Sequence, residues 1–230
     1  MNTNLINVTE KLYSNFKKYT IVGDLRSRSC ECCVTNEEIK LLLPKQLNDL
    51  NDNDIGHFSR SAITTFGDVN DYKHFLPRIL ELMQKSNSVV LDDFLTFEKL
   101  NYSEWKTWKE NENKAIKNYF FALWQEVITN EKATFYQIGN VLNIVSKYSG
   151  LKEALAIWEK NMTTKSKLFI VETTINGFNY YFRKEIKSEL TDWFHSNKVI
   201  SMIEDEFFKT KDEELATQIS IAHNILENRY

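Results

Sequence analysis

From about residue 103 onward, apolar positions recur at steps of three and four, the spacing of one face of an α-helix, and Ser, Thr, Asn, Asp and Gly fall between the runs where caps are needed. Trp105, Trp108, Ile116, Tyr119, Phe120, Leu123, Trp124 and Val127 form one long amphipathic stripe. Thr134 opens a second run with Phe135, Ile138, Leu142 and Val145, and Gly150 separates a third with Leu151, Ala154, Leu155 and Trp158. A fourth run, the most regular, holds Leu168, Val171, Ile175, Phe178 and Phe182. A fifth holds Leu190, Trp193, Phe194, Ile200 and Phe207, and a sixth, opened by Asp212, holds Leu215, Ile219, Ala222 and Leu226. This pattern predicts helices in series joined by short connections, arranged as antiparallel αα-hairpins. Each hairpin spans about 40 residues, near the period of HEAT-like repeats. No self-similar signature lies beneath that period, so a HEAT-like superhelix and a globular bundle are both open.

The first third has a different texture. Leu5, Val8, Leu12 and Phe16 predict a helix from about Leu5 to Tyr19, followed by a breaker region from Gly23 to Cys33. Thr35 with Glu38 three residues on has the capping-box pattern, so a short helix through Leu41, Leu42 and Leu43 starts there and stops near Pro44. A further helix carries Ile55, Phe58, Ala62 and Ile63 and ends at Gly67-Asp68. Because proline fits best as the first residue of a helix, the pattern predicts a turn at His74-Phe75-Leu76 and a fresh helix from Pro77. The reading is a single all-α domain over residues 1–230, with an irregular portion over 1–100 and a helical-hairpin portion over 101–230.

Composition agrees with this class. Only 6 Gly and 2 Pro occur in 230 residues, too few for collagen-like or low-complexity chains or for the frequent turns of a β-sandwich. The 29 Lys and Arg are nearly balanced by 32 Asp and Glu, so no global basic field exists to draw a phosphate backbone, and nucleic acid is not expected as a partner. No long uncharged apolar window and no signal-peptide pattern is found, which makes a cytoplasmic protein with no membrane association the expectation. Basic residues concentrate between Lys160 and Lys187 and acids beyond, including Glu204, Asp205, Glu206, Asp212, Glu213 and Glu214; such faces are either solvated or a polar surface for a protein partner.

Candidate chemistry is confined to the first third. All 3 cysteines sit in Cys30-Glu31-Cys32-Cys33, a cluster too tight for a spaced disulfide framework. It combines CxC and CxxC spacings that suit zinc, a cofactor whose tetrahedral site needs ligands from elsewhere. His57 and His74 are the nearby imidazoles, with Asp68 and Asp71 as oxygen donors, and small thiols tucked into a loop are the alternative. The run Asp49, Asn51, Asn53 resembles the odd positions of a calcium loop but has Asp54 where Gly is required and Arg60 where Glu is required, so these residues read as helix caps. Asp71, His74 and Arg78 would share one side of a continuous helix, where a carboxylate could orient an imidazole beside an anion-binding guanidinium; capping and ion-pairing roles are the alternative. Phosphate loops, dinucleotide fingerprints and HExxH are missing.

The cysteine cluster, the segment Asp54-Ile55-x-x-Phe58 through Thr64-Thr65-Phe66-Gly67-Asp68, and the run Asp71-Tyr72-Lys73-His74-Phe75-Leu76-Pro77-Arg78 together resemble a bacterial protein family of uncharacterised function. The resemblance covers roughly the first third and implies a bacterial cytosolic origin but no catalytic roles. The sequence therefore points to a non-enzymatic binding or scaffold protein, of adaptor or immunity type, that recognises a protein partner. Its alternative is a zinc-dependent enzyme or binding protein using Cys30, Cys32, Cys33, His57 and His74 as ligands and Asp71, His74 and Arg78 as catalytic candidates.

Overall fold

The computed structural model describes residues 3–84, 93–177 and 180–228, and among them every regular element is a helix. Contacts divide the chain into two compact units, Thr3–Tyr119 and the residues from Phe120 onward.

The first unit contains α1 (Thr3–Phe16), α2 (Asn36–Leu42), α3 (Asp52–Ser61), α4 (Val69–Met83) and α5 (Asp93–Tyr102). Its termini follow sequence chemistry. Thr35 with Glu38, Asn51 with Asp54 and Asp68 with Asp71 each form a reciprocal capping box, satisfying N–H groups that α2, α3 and α4 would otherwise leave unpaired. α1 lies against α4, where the Tyr13 hydroxyl donates to Glu81 Oε2 at 2.6 Å and the Gln84 amide donates to the Thr9 hydroxyl at 2.7 Å.

The turn predicted before Pro77 is absent: α4 runs unbroken through it. An interior proline costs about 3 kcal/mol. Here a firm N-terminal cap and the burial of Tyr72, Phe75, Leu76, Ile79, Leu80 and Leu82 outweigh that loss. α3 also stops earlier than the apolar pattern suggests. Ala62 leaves the helix, and Ile63 has φ 71°, a conformation that β-branched residues rarely adopt.

α6 (Glu110–Thr129) contains the division at Tyr119/Phe120. It takes only the later part of the long stripe, because Trp105 lies in a separate 3₁₀ turn and Trp108 is extended, with its indole N–H donating to the Ser103 carbonyl. The second unit continues with α7 (Phe135–Tyr148), α8 (Leu151–Lys160), α9 (Thr164–Asn176), α10 (Lys184–Phe194), α11 (Asn197–Phe207) and α12 (Glu213–Glu227). α7 packs with α8 and α11 with α12, the pairwise pattern of helical hairpins, while α9 meets α7, α11 and α12. The fifth run is two helices, since His195 caps α10 and the Ser196 hydroxyl caps α11. The fourth run ends at Gly177 (φ 88°), beyond which Phe182 is buried outside any helix; Phe178 lies outside the described residues. Trp158 is the aromatic centre of this unit, its ring 4.9 Å from Trp193, 5.3 Å from Trp124 and 6.0 Å from Phe169.

Candidate metal centre

The three cysteines occupy the turn between a short 3₁₀ segment (Arg26–Arg28) and α2. The turn is built by its own backbone, with the N–H groups of Cys33 and Val34 donating to the Cys30 carbonyl at 3.3 and 3.1 Å. It is also fastened to the bend between α3 and α4. The Cys30 N–H donates to the Thr65 carbonyl at 2.8 Å, Ser29 pairs with Phe66 in an isolated antiparallel bridge, and the Gly67 N–H donates to the Ser29 hydroxyl at 3.3 Å. Gly67 is required at this point, because its φ is +68° and a Cβ would lie 2.8 Å from an Asp71 carboxylate oxygen.

Two arginines lock the turn. Arg26 donates to the carbonyls of Ser29 (3.1 Å), Cys30 (2.8 Å) and Val34, so one planar guanidinium gathers carbonyls from both sides of the cluster. Arg28 forms a two-pronged ion pair with Asp71, Nε to Oδ2 at 2.9 Å and Nη2 to Oδ1 at 2.8 Å, tying the segment to the first turn of α4.

As a result the sulfur atoms of Cys30, Cys32 and Cys33 lie within 4.8 Å of one another. Cys30 Sγ is 3.1 Å from Cys32 Sγ, which is 3.7 Å from Cys33 Sγ. All three are free thiols, Cys30 half-buried and the other two exposed. Hydrogen bonds from the Cys32 and Cys33 thiols, helped by their backbone N–H groups, bring Cys30 down to about 7, while the same contacts to Cys30 and Cys32 push Cys33 up to about 11. One member is thus a ready thiolate near neutral pH, the form that binds metals and reacts as a nucleophile.

Compared with family profiles, curated proteins and solved structures, the chain has no match.

The remaining sequence candidates lie apart from the sulfurs: among the described residues, only the three cysteines form a metal-capable group. His57 Nδ1 pairs with Glu38 Oε1 at 2.7 Å, and its ring stands edge-on to Phe66. Hydrogen bonding from the Thr35 N–H holds the Glu38 carboxyl below its usual range, with His57 adding to this against the opposing effect of burial. His74 Nδ1 pairs with the Tyr19 carbonyl at 2.9 Å, on the rim of a cleft of about 320 Å³ that Lys45 and Phe75 also line. Asp71 is committed to Arg28 and to the Asp68 N–H. Arg78 donates to the Leu50 carbonyl at 2.7 Å and to Glu81 at 2.6 Å. Asp71, His74 and Arg78 do share α4, yet each faces a different partner. Asp71 nevertheless serves the thiol turn, as the anchor of Arg28. Arg26 and Arg28 were not singled out by sequence reasoning, and their nearness to the CxCC spacing was the one signal available.

A second polar cluster lies in the same unit. Glu112, fully buried, accepts from Tyr19 at 2.8 Å and from Lys73 at 3.1 Å and is paired with Lys18. Lys73 Nζ also sits 4.1 Å from the centre of the Trp108 ring, a cation–π contact. Every member is satisfied, as expected of a structural network.

Proposed function

We propose that this chain is a non-enzymatic binding protein whose functional site is the Cys30, Cys32, Cys33 turn, and that the turn binds a thiophilic metal ion. The observation that carries this reading is the convergence of three free, accessible sulfur atoms within 4.8 Å on a turn braced from both sides. A buried structural thiol needs no such exposure. A thioredoxin-type dithiol would sit on a strand–turn–helix, whereas this turn precedes a helix with no strand before it among the described residues.

The test is elemental analysis of the full chain purified under reducing, oxygen-free conditions. About one metal ion per chain is expected, lost in Cys30→Ser/Cys33→Ser while the helical circular dichroism is retained. A wild-type chain that takes up no zinc, copper or cadmium on titration sinks the proposal.

Recognition of a protein partner is the second reading. It is favoured by exposed apolar side chains of the second unit, Phe208 at 76%, Ile221 at 46% and Ile225 at 38% relative exposure. Ile221→Glu/Ile225→Glu is expected to keep the wild-type melting temperature and to lose any protein that co-purifies reproducibly with the wild type; retention of that protein rules out these two side chains as its contact.

A further inference from the structure

We infer that the ion taken by the Cys30, Cys32, Cys33 cluster is a soft monovalent cation of the copper(I) class, held by three thiolates with one side left open, rather than zinc. This rests on the metal-binding reading above and specifies its ligand.

The donor set is the first argument. Structural zinc is a closed, four-coordinate tetrahedral centre, most often completed by a fourth cysteine or a histidine. Here three sulfurs converge, and among the described residues no His, Asp or Glu atom joins their group. His57 and His74, whose Nδ1 atoms pair with Glu38 and the Tyr19 carbonyl, do not bring a ring nitrogen into the sulfur group. An all-thiolate set selects soft ions, and copper(I) accepts such a set.

Geometry and charge agree. Metal–sulfur bonds of about 2.3 Å place neighbouring sulfurs roughly 3.8 Å apart, so the 3.7 Å pair already fits and the 3.1 Å pair would open by about 0.7 Å, within reach of side-chain rotation at the exposed Cys32. Three thiolates around a monovalent cation carry a net negative charge. The Arg26 guanidinium, bonded to the carbonyls of Ser29 and Cys30, is a fixed positive charge on the turn that offsets part of it. Exposure of Cys32 and Cys33 leaves a face through which a thiolate of a donor or acceptor molecule can reach the ion, so that transfer proceeds by ligand exchange with no change in oxidation state.

The experiment is an oxygen-free titration of the full chain with copper(I) against a bathocuproine-type chelator, in parallel with zinc against a chromophoric zinc chelator. One copper(I) per chain is expected, bound at least about 100-fold more tightly than zinc and displacing preloaded zinc. Cys30→Ser, Cys32→Ser and Cys33→Ser should each weaken copper binding by about 10-fold or more, as ligands do, with unchanged helical circular dichroism. One zinc per chain that survives an equivalent of copper(I) overturns the copper assignment and leaves the metal-binding reading standing. Failure of both ions to bind a chain whose three thiols remain titratable overturns both.

Discussion

The reactivity of Cys30 depends on its immediate neighbours, and removing them should restore an ordinary thiol. Alkylation of Cys30, followed by mass spectrometry across pH, is expected to be half-maximal near 7 in the wild type and to move toward the ordinary value of 9 in Cys32→Ser/Cys33→Ser. An unmoved midpoint would mean that these contacts do not control the thiolate. Arg26 acts through the backbone instead. Arg26→Lys keeps the charge but cannot hold three carbonyls, so metal affinity should fall by about 10–100-fold, the usual effect of losing an outer partner of a metal site. Ile63 belongs to the bend on which the turn rests and carries a left-handed φ of 71°. Ile63→Gly relieves strain of about 1 kcal/mol but loses a half-buried side chain and orders a more flexible backbone, so the melting temperature should not rise. The CxCC cluster was legible because its donors are adjacent in sequence. Its supports were not, because Asp71 lies 43 residues from Arg28 and no local spacing announces that pair.

Among the elements, α4 and α9 explain where pattern reading succeeds and fails. Caps are local chemistry, so Thr35, Asn51, Thr134 and Asp212 were each readable as helix starts or cap formers, and each caps a helix. Pro77 is also local, but its effect is overruled by burial that only the fold supplies. On α9 the regular apolar run is only part of the buried face: Val171 is buried but Ile175 is exposed, while Ser166, Phe169, Ile170, Thr173 and Thr174, outside the run, are buried. Hydroxyls can occupy that face because Thr174 bonds back to the Ile170 carbonyl at 2.8 Å and Ser166 to the Thr163 carbonyl at 3.0 Å. A hydrophobic period therefore reads only part of a helix whose buried side carries hydroxyls, those of Ser166 and Thr174 satisfied by the local backbone. The capping box of α4 has a second duty that can be isolated. Asp71→Ala removes the two-pronged acceptor of Arg28, which keeps the Val22 and Asp24 carbonyls, and the acceptor of the Asp68 N–H, and should cost about 1–2 kcal/mol, measured by urea denaturation. Asp68→Asn, which preserves the cap, should cost only a few tenths of that. Equal losses would place the effect in the negative charge of this first turn, which Asp68 also presents to Arg28, rather than in Asp71 as acceptor.

For the whole molecule, the all-helical class followed from composition and periodicity, while the division at Tyr119/Phe120 inside α6 left no mark in the sequence, since α6 is one continuous amphipathic run. Glu112 should be one source of acid sensitivity in the first unit, as Glu159 and Glu206, whose carboxyls are also held low, are in the second. Burial raises the Glu112 carboxyl, but hydrogen bonds from Lys18, Tyr19 and Lys73 more than reverse this, and the net displacement is below its ordinary value of 4.5. A depressed folded-state value contributes stability that is complete above 4.5 and is lost as pH falls through the lower, folded value. The melting temperature should therefore drop on acidification below that point, and Glu112→Gln should flatten the drop while costing about 3 kcal/mol at neutral pH by stranding Lys73. A variant with the wild-type acid slope would exclude Glu112 as its source. Finally, the thiol turn is attached to the bend before α4 and to its first turn, so an ion that binds only the assembled turn is also a linchpin of folding. Saturation at 100 times the dissociation constant would shift the unfolding equilibrium by about 2.7 kcal/mol. Thermal stability would then report the metal supply around the protein.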